Sequence, residues 1–173
     1  MNLKLKLKLI LNYRNITSIT SITFDMSFIK GCETEQINHT LRFDGGAAPT
    51  NPGPCAGAYA IFDEKGKVIA EGGEFFDHAT NNFGEYNGLI YGLKKCLELD
   101  IKDVYVEGDS LLVISQISGK WKVKNEVLFV LNSEIKDLIK EFNNVSVRHI
   151  LRGLNSYADK LSDKTLVLKK SWN

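Results

Sequence analysis

Thr40-Leu41-Arg42-Phe43-Asp44-Gly45-Gly46 is a short alternating apolar run that stops at an aspartate and two glycines. Its period of two predicts a strand over 40–43 with Leu41 and Phe43 on one face. Ala56–Phe62 and Lys67–Phe76 read as two further strands, with Asp63-Glu64-Lys65-Gly66 as the hairpin turn between them. The period then changes. Tyr86, Leu89, Ile90, Leu93 and Leu97 recur at helical spacing, and Val104–Val106 is a buried strand ending at Gly108-Asp109. Leu111–Ile117 reads as a short helix and Gly119–Asn125 as a connection. A second long helix runs from Val127 to Phe142, followed by a strand over Val145–Ile150 and a helix over Ser156–Leu168. The order β-β-β-α-β-α-α-β-α predicts an α/β fold. Its five-stranded mixed sheet has antiparallel strands 1–3 and parallel strands 4 and 5, flanked by helices.

The 173 residues suit one domain with a full core, 39–173, preceded by an extension over 1–38. Net charge is +1 for the whole chain, and 17 Lys/Arg stand against 18 Asp/Glu from residue 39 onward. Bulk charge therefore gives no nucleic-acid affinity, and any such binding must come from a local patch. Cys32, Cys55 and Cys96 are odd in number and widely spaced, which argues against a zinc site or disulfide framework and for a reducing compartment. No apolar run reaches the roughly 20 residues of a membrane span. In the extension, Leu3–Leu9 alternates leucine with lysine, and no acid precedes Asp25. That is a faint organelle-targeting signal, but the alternation spoils the amphipathic helix such a leader needs. The favoured expectation is a poorly ordered or accessory segment, or an upstream start with Met26 as the initiator, in a cytoplasmic or, in a eukaryote, nuclear protein.

Four acids stand in distinctive settings: Asp44 on the first strand, Glu85 early in the first helix, Asp109 at the end of the fourth strand, and Asp159 early in the last helix. Each has an ordinary reading. Asp44 before two glycines suits a turn, Glu85 and Asp159 suit helix starts, and Asp109 suits an N-cap. Ligand sites on such sheets lie beyond the carboxyl ends of the parallel strands, which is where Asp109 falls. Together the acids would form an oxygen cage for a hard divalent cation, Mg²⁺ or Mn²⁺, of the kind used in phosphoryl transfer.

The motifs around these acids come in a telling order. Phe43-Asp44-Gly45-Gly46 is followed by Asn51-Pro52-Gly53-Pro54, then by Thr80-Asn81-Asn82 shortly before Glu85. Gly108-Asp109-Ser110, Trp121-Lys122-Val123-Lys124-Asn125, Arg148-His149, Asn155 and Ala158-Asp159 follow. From Thr40 onward the chain resembles the type 1 ribonuclease H family. That resemblance implies an endonuclease, acting as a monomer, that hydrolyses the RNA strand of RNA–DNA hybrids and leaves 5′-phosphate and 3′-hydroxyl ends. It implies two Mg²⁺ ions (Mn²⁺ as a substitute) held by Asp44, Glu85, Asp109 and Asp159, with His149 in the place of a proton-handling histidine. Gly45, Gly46, Asn81 and Asn82 resemble readers of the minor groove, where 2′-hydroxyls mark the RNA strand. Asn51, Thr80 and Asn125 resemble residues that grip a DNA-strand phosphate, and Trp121 with Lys122 and Lys124 a platform for that strand.

Some features depart from the family pattern. The Asp44–Asn51 spacing is one residue longer than usual, and Gly119–Asn125 is too short for the basic protrusion some members carry. Weaker substrate binding, or reliance on another element, is the expectation. His149 falls inside the last strand rather than on a flexible loop, and Arg152 just beyond could supply charge in its place. Gly84 next to Glu85 predicts close backbone approach. Two other readings are a diverged nuclease of the same fold acting on other nucleic acids, and a non-catalytic nucleic-acid-binding module.

Overall fold

In a computed structural model of the chain, residues 37–173 are described. The expectations for the amino-terminal extension and for Cys32 lie outside the described residues, apart from Ile37 and Asn38. Strands β1 (His39–Ala47), β2 (Gly53–Phe62) and β3 (Val68–Ala79) lead into helix α1 (Asn81–Glu98). Strand β4 (Asp103–Gly108), helices α2 (Leu111–Ile117) and α3 (Glu126–Ile139), strand β5 (Asn144–His149), a 3₁₀ turn (Arg152–Leu154) and helix α4 (Ser156–Leu168) complete the order. The sheet runs β3-β2-β1-β4-β5, antiparallel among the first three strands and parallel from β1 to β4 and β4 to β5. This is the five-stranded mixed sheet expected from the alternation of periods, and the ribonuclease H-like architecture that the motif resemblance implies.

The alternation on each strand separates two faces. Leu41 and Phe43 of β1, Tyr59 and Ile61 of β2, and Val104 and Val106 of β4 pack against Tyr86, Leu89, Ile90 and Leu93 of α1. On the other face Ala58 and Ala60 of β2 meet Leu161 of α4. Their small side chains let that helix lie close to the sheet. Leu128 and Ile135 place α3 over the same core as α1. A buried polar bridge joins these helices: Tyr86 donates from its hydroxyl to Gln116 Oε1 at 2.8 Å, and Asn132 Nδ2 donates to the Tyr86 oxygen at 3.3 Å.

The element ends differ in instructive ways. Strand β1 continues past Phe43 to Ala47, because Gly45 and Gly46 pair with Gly57 and Ala56 of β2 instead of turning. Asp44 is thus a strand residue, not a turn residue. Phe142 remains a core residue, but α3 ends at Ile139 and a turn carries the chain to it. The expected hairpin turn is present, and Asp63 Oδ1 accepts from the amides of Lys65 and Lys67, both at 2.9 Å.

Helix α1 crosses β1 and β2 almost in backbone contact. A Cβ on Gly45 would lie 2.1 Å from the Glu85 nitrogen, one on Gly57 would lie 2.3 Å from the Gly84 oxygen, and one on Gly84 would lie 2.3 Å from the Ala56 oxygen. No side-chain rotation relieves a clash with backbone, so helix and sheet would have to separate. Gly57→Ala and Gly84→Ala should each destabilise the protein by about 3 kcal/mol, read as a drop in the midpoint of chemical denaturation. Gly153→Ala, where a Cβ meets nothing within 4 Å, should stay within about 0.5 kcal/mol of wild type.

Candidate active site

Strand register brings the first two acids together. Arg42 of β1 lies beside Glu107 of β4, and two residues further along each parallel path are Asp44 and Asp109. Glu85 joins them because the tight α1 crossing sets its backbone against Gly45. Asp159 comes from the first turn of α4, which covers the same end of the sheet. Of the ordinary readings, that for Asp159 as a first-turn acid coexists with its position here. The N-cap reading of Asp109 gives way: Ser110 caps α2, its Oγ accepting from Val113 N at 3.5 Å. Glu85 lies beyond the first turn of α1, whose cap is Thr80.

Each acid except Glu85 has a specific partner. Asn155 Nδ2 donates to Asp109 Oδ1 at 2.7 Å and to the Phe43 carbonyl at 2.9 Å. Ser162 Oγ donates to Asp44 Oδ2, and Arg152 Nη2 pairs with Asp159 Oδ1 at 2.9 Å. Glu85 Oε2 is shielded from solvent without a hydrogen-bond partner. His149, exposed at the end of β5, sets Nε2 3.2 Å from the Asp109 carbonyl. A carbonyl only accepts, so this contact requires the tautomer protonated at Nε2.

Burial, above all, pushes the Asp44 carboxyl up to about 6. The Asp109 and Asp159 charges raise it too, and the Ser162 hydrogen bond works in the opposite direction. Burial likewise holds Glu85 well above the ordinary carboxylate range, with Asp44 and Asp109 adding to the shift and Arg152 opposing it. Among the described residues, no three acidic, His or Cys side chains already stand as a group that could hold a metal ion. The donor chemistry nevertheless suits a hard cation: the oxygens are all carboxylate, they repel one another, and one of them is buried without a partner. Asp159, now tied to Arg152, would have to be released to join such a set.

A groove of about 1040 Å³ collects most of the other residues expected to bind substrate. Asn51, Thr80, Asn82, Lys122, Lys124 and Asn125 all line it. Trp121 is 49% exposed but lies outside the lining, as do Gly45, Gly46, Asn81 and Arg152.

Comparison with known proteins places this arrangement. The profile of the reverse transcriptase-like family matches residues 42–165. The chain belongs to this family. Within it, the chain closely resembles type 1 ribonucleases H in sequence and structure. It is 35% identical over 124 residues to the ribonuclease HI of Halobacterium salinarum, covering 72% of this chain and 62% of that protein. It is 37% identical over 127 residues to the bifunctional protein Rv2228c of Mycobacterium tuberculosis, covering 73% of this chain and 35% of that one. The chain therefore spans less than two thirds of the length of either curated relative. The amino-terminal RNase H domain of Rv2228c superimposes with a TM-score of 0.73 at 32% identity, over 78% of this chain and 96% of the domain. LC11-RNase H1, solved in complex with an RNA/DNA hybrid, gives 0.70 at 32% identity, over 75% of this chain and 97% of that one.

As in any member of this ribonuclease H-like family, fold and site are separate matters, and several groove residues here also have structural duties. Thr80 Oγ1 caps α1 by accepting from Phe83 N at 3.3 Å, and Asn125 Oδ1 caps α3 by accepting from Leu128 N at 3.0 Å. Both caps use acceptor atoms, so the Thr80 hydroxyl proton and the Asn125 NH₂ keep their donor capacity. Asn51 Oδ1 accepts from Asn81 N at 3.1 Å, and Asn81 Oδ1 accepts from Ala47 N at 2.6 Å, which locks the loop after β1 to the start of α1. His78, Gln116, Phe75 and Phe76 also line the groove and were not read from the sequence. His78 could have been found, since it lies two residues before Thr80 on the same strand end. Ser162 was also missed, although it lies one helical turn beyond Asp159.

The raised carboxyl groups set the pH behaviour of the metal-free protein. Asp44 titrates near 6 when folded against an ordinary 3.8, so the folded state holds its proton longer than the unfolded chain does. Its stabilising contribution is complete below about pH 4 and is lost as pH rises through 6. In EDTA, Asp44→Asn should be more stable than wild type at pH 7 by about 2 to 3 kcal/mol. The gap should close toward pH 4, as followed by denaturant titrations across that range.

Proposed function

We propose that this chain is an endonuclease that hydrolyses the RNA strand of RNA–DNA hybrids with the help of divalent cations, leaving 5′-phosphate and 3′-hydroxyl ends. The observation that carries the reading is the meeting of Asp44, Glu85 and Asp109 at one end of the parallel strands, with Glu85 Oε2 buried and unpartnered. Such a group is costly for a fold to keep unless something neutralises it. The likeness to LC11-RNase H1, a protein solved with an RNA/DNA hybrid, supports the choice of substrate.

Asp44, Glu85, Asp109 and Asp159 are the residues that would hold the cations. Two Mg²⁺ or Mn²⁺ ions bound there supply an activated water and stabilisation of the leaving oxygen in an in-line displacement. The rest falls to the chain itself. Asn155 holds Asp109 and Ser162 holds Asp44 by donating to one oxygen of each carboxylate. His149, with Nε2–H committed to the Asp109 carbonyl, has Nδ1 free to take a proton at the edge of the site and release it to solvent. Arg152 holds Asp159 and adds positive charge where a phosphate would sit.

Substrate recognition divides between two surfaces. Gly45 and Gly46 offer backbone groups beside the acids, and Asn81 and Asn82 offer amides to the 2′-hydroxyls of the RNA strand. With its oxygen taken by Ala47 N, Asn81 contributes through its NH₂. The groove takes the DNA strand: Thr80, Asn51 and Asn125 contact a phosphate, Lys122 and Lys124 supply charge, and Trp121 stacks nearby.

The deciding test is cleavage of a labelled RNA–DNA hybrid with Mg²⁺, beside double-stranded RNA and double-stranded DNA. Hybrid-only cutting that disappears in Asp44→Asn is the expected result. No cutting with Mg²⁺ or Mn²⁺ in folded protein would remove the enzyme reading and leave a binding module. The groove makes a separate prediction. Replacing Lys122 and Lys124 together by alanine should weaken hybrid binding about equally for all sequences, and should lower the slope of log affinity against log salt by about 1 to 2. A salt titration of binding with catalytically silent Asp44→Asn protein would show it.

A further inference from the structure

Helix α4 presents one polar stripe to the acidic site. Asn155, Asp159 and Ser162 follow one another at spacings of four and three, which places them on a single face. Asn155 and Ser162 are both buried, at 0% and 3% exposure. Asn155 reaches Asp109 at the end of β4, and Ser162 reaches Asp44 in the middle of β1. The Ser162 hydroxyl has a second acceptor in range, the Asp159 carbonyl at 2.9 Å. One hydroxyl proton cannot serve both, and a charged carboxylate is the stronger acceptor.

We propose that Ser162 is a positioning residue for the carboxylate cage, its hydroxyl fixing the Asp44 side chain of β1 against the Asp159 turn of α4 so that a divalent cation meets Asp44 already oriented. This rests on the reading of the four acids as cation ligands. Asp44 is 7% exposed, so water has little access to do the same work. Without the hydroxyl, the Asp44 carboxylate keeps only the backbone hydrogen bond from Gly45, against the repulsion of Asp109 and Asp159. A donor placed behind a ligand in this way acts on metal affinity: it removes the cost of turning the ligand at the moment of binding. Ser162 is 3% exposed and its hydroxyl is engaged with Asp44, so turnover at saturating metal should not depend on it.

The test is a Mg²⁺ titration of full-length wild type, Ser162→Ala and Ser133→Ala, a control on the exposed face of α3. It is followed by calorimetry and by the rise in melting temperature, without substrate, and then by hybrid cleavage at a range of Mg²⁺ concentrations. Alanine is favourable in a helix and smaller than serine, so Ser162→Ala keeps the fold. The expected result is a midpoint raised about tenfold in Ser162→Ala in the binding and cleavage titrations alike, with hybrid KM and the rate at saturating Mg²⁺ near wild type. Ser133→Ala should match wild type. If wild type binds Mg²⁺ and cuts while Ser162→Ala has the same midpoint, the positioning role is overturned and the nuclease reading stands. A loss of rate that saturating Mg²⁺ does not restore also overturns it. If wild type neither binds Mg²⁺ nor cuts, both readings fall.

Discussion

Everything at the acidic end of this sheet depends on how closely α1 lies on β1 and β2. The contact is backbone on backbone, with Gly45 against the Glu85 nitrogen, Gly57 against the Gly84 oxygen and Gly84 against the Ala56 oxygen. Packed layers usually stand apart because side chains fill the space between them, about 10 Å in the case of two stacked sheets. Here the glycines remove that layer over one turn of helix, and Glu85 belongs to that turn. The apolar stripe of Tyr86, Leu89, Ile90 and Leu93 then holds the rest of the helix down. Without the glycine patch the same helix would still pack, but Glu85 would stand too far from Asp44 to share a site with it.

Bringing like charges together has a price, and α4 offsets part of it. Burial is the largest influence on Asp44 and Glu85, ahead of the repulsion between them. Neutral donors answer it: Asn155 for Asp109 and Ser162 for Asp44. The one cation among these partners, Arg152, is 81% exposed and pairs with Asp159, the acid nearest the rim. An exposed pair of this kind contributes little to stability, so Arg152 can give up Asp159 at small cost. Asp44 and Asp109 are therefore oriented by hydrogen bonds, Glu85 is left without a partner, and Asp159 is held by a bond that is easily exchanged.

Most of the fold could be read in advance because its signals are periodic. Two period-two runs and a turn gave the hairpin of β2 and β3, and the limits of α2 and α4 match the expectation. The end of β1 could not be read that way. Gly45 and Gly46 look like a chain break in one dimension, and only the crossing of α1 explains why glycines must continue a strand. The acids were legible through their order and neighbours. Ser162 was not, and Asn155 was read only as part of a motif, because both acquire their role only when α4 is laid over β1 and β4. His149 was read correctly as a strand residue, yet it ends exposed rather than packed, because β5 is an edge strand and stops there.

The groove residues show why a structural reading and a functional one need not compete. Thr80 and Asn125, expected to contact a phosphate, are helix caps in the structure. Yet both helices begin at the same groove. A helix start carries partial positive charge and unpaired amide donors, which favours an anion nearby. Two such starts, with Lys122 and Lys124 in the same lining, bring positive charge to this groove in a chain of nearly zero net charge. Local concentration of charge thus answers the difficulty posed by the composition, where 17 basic residues stand against 18 acidic ones from residue 39 onward.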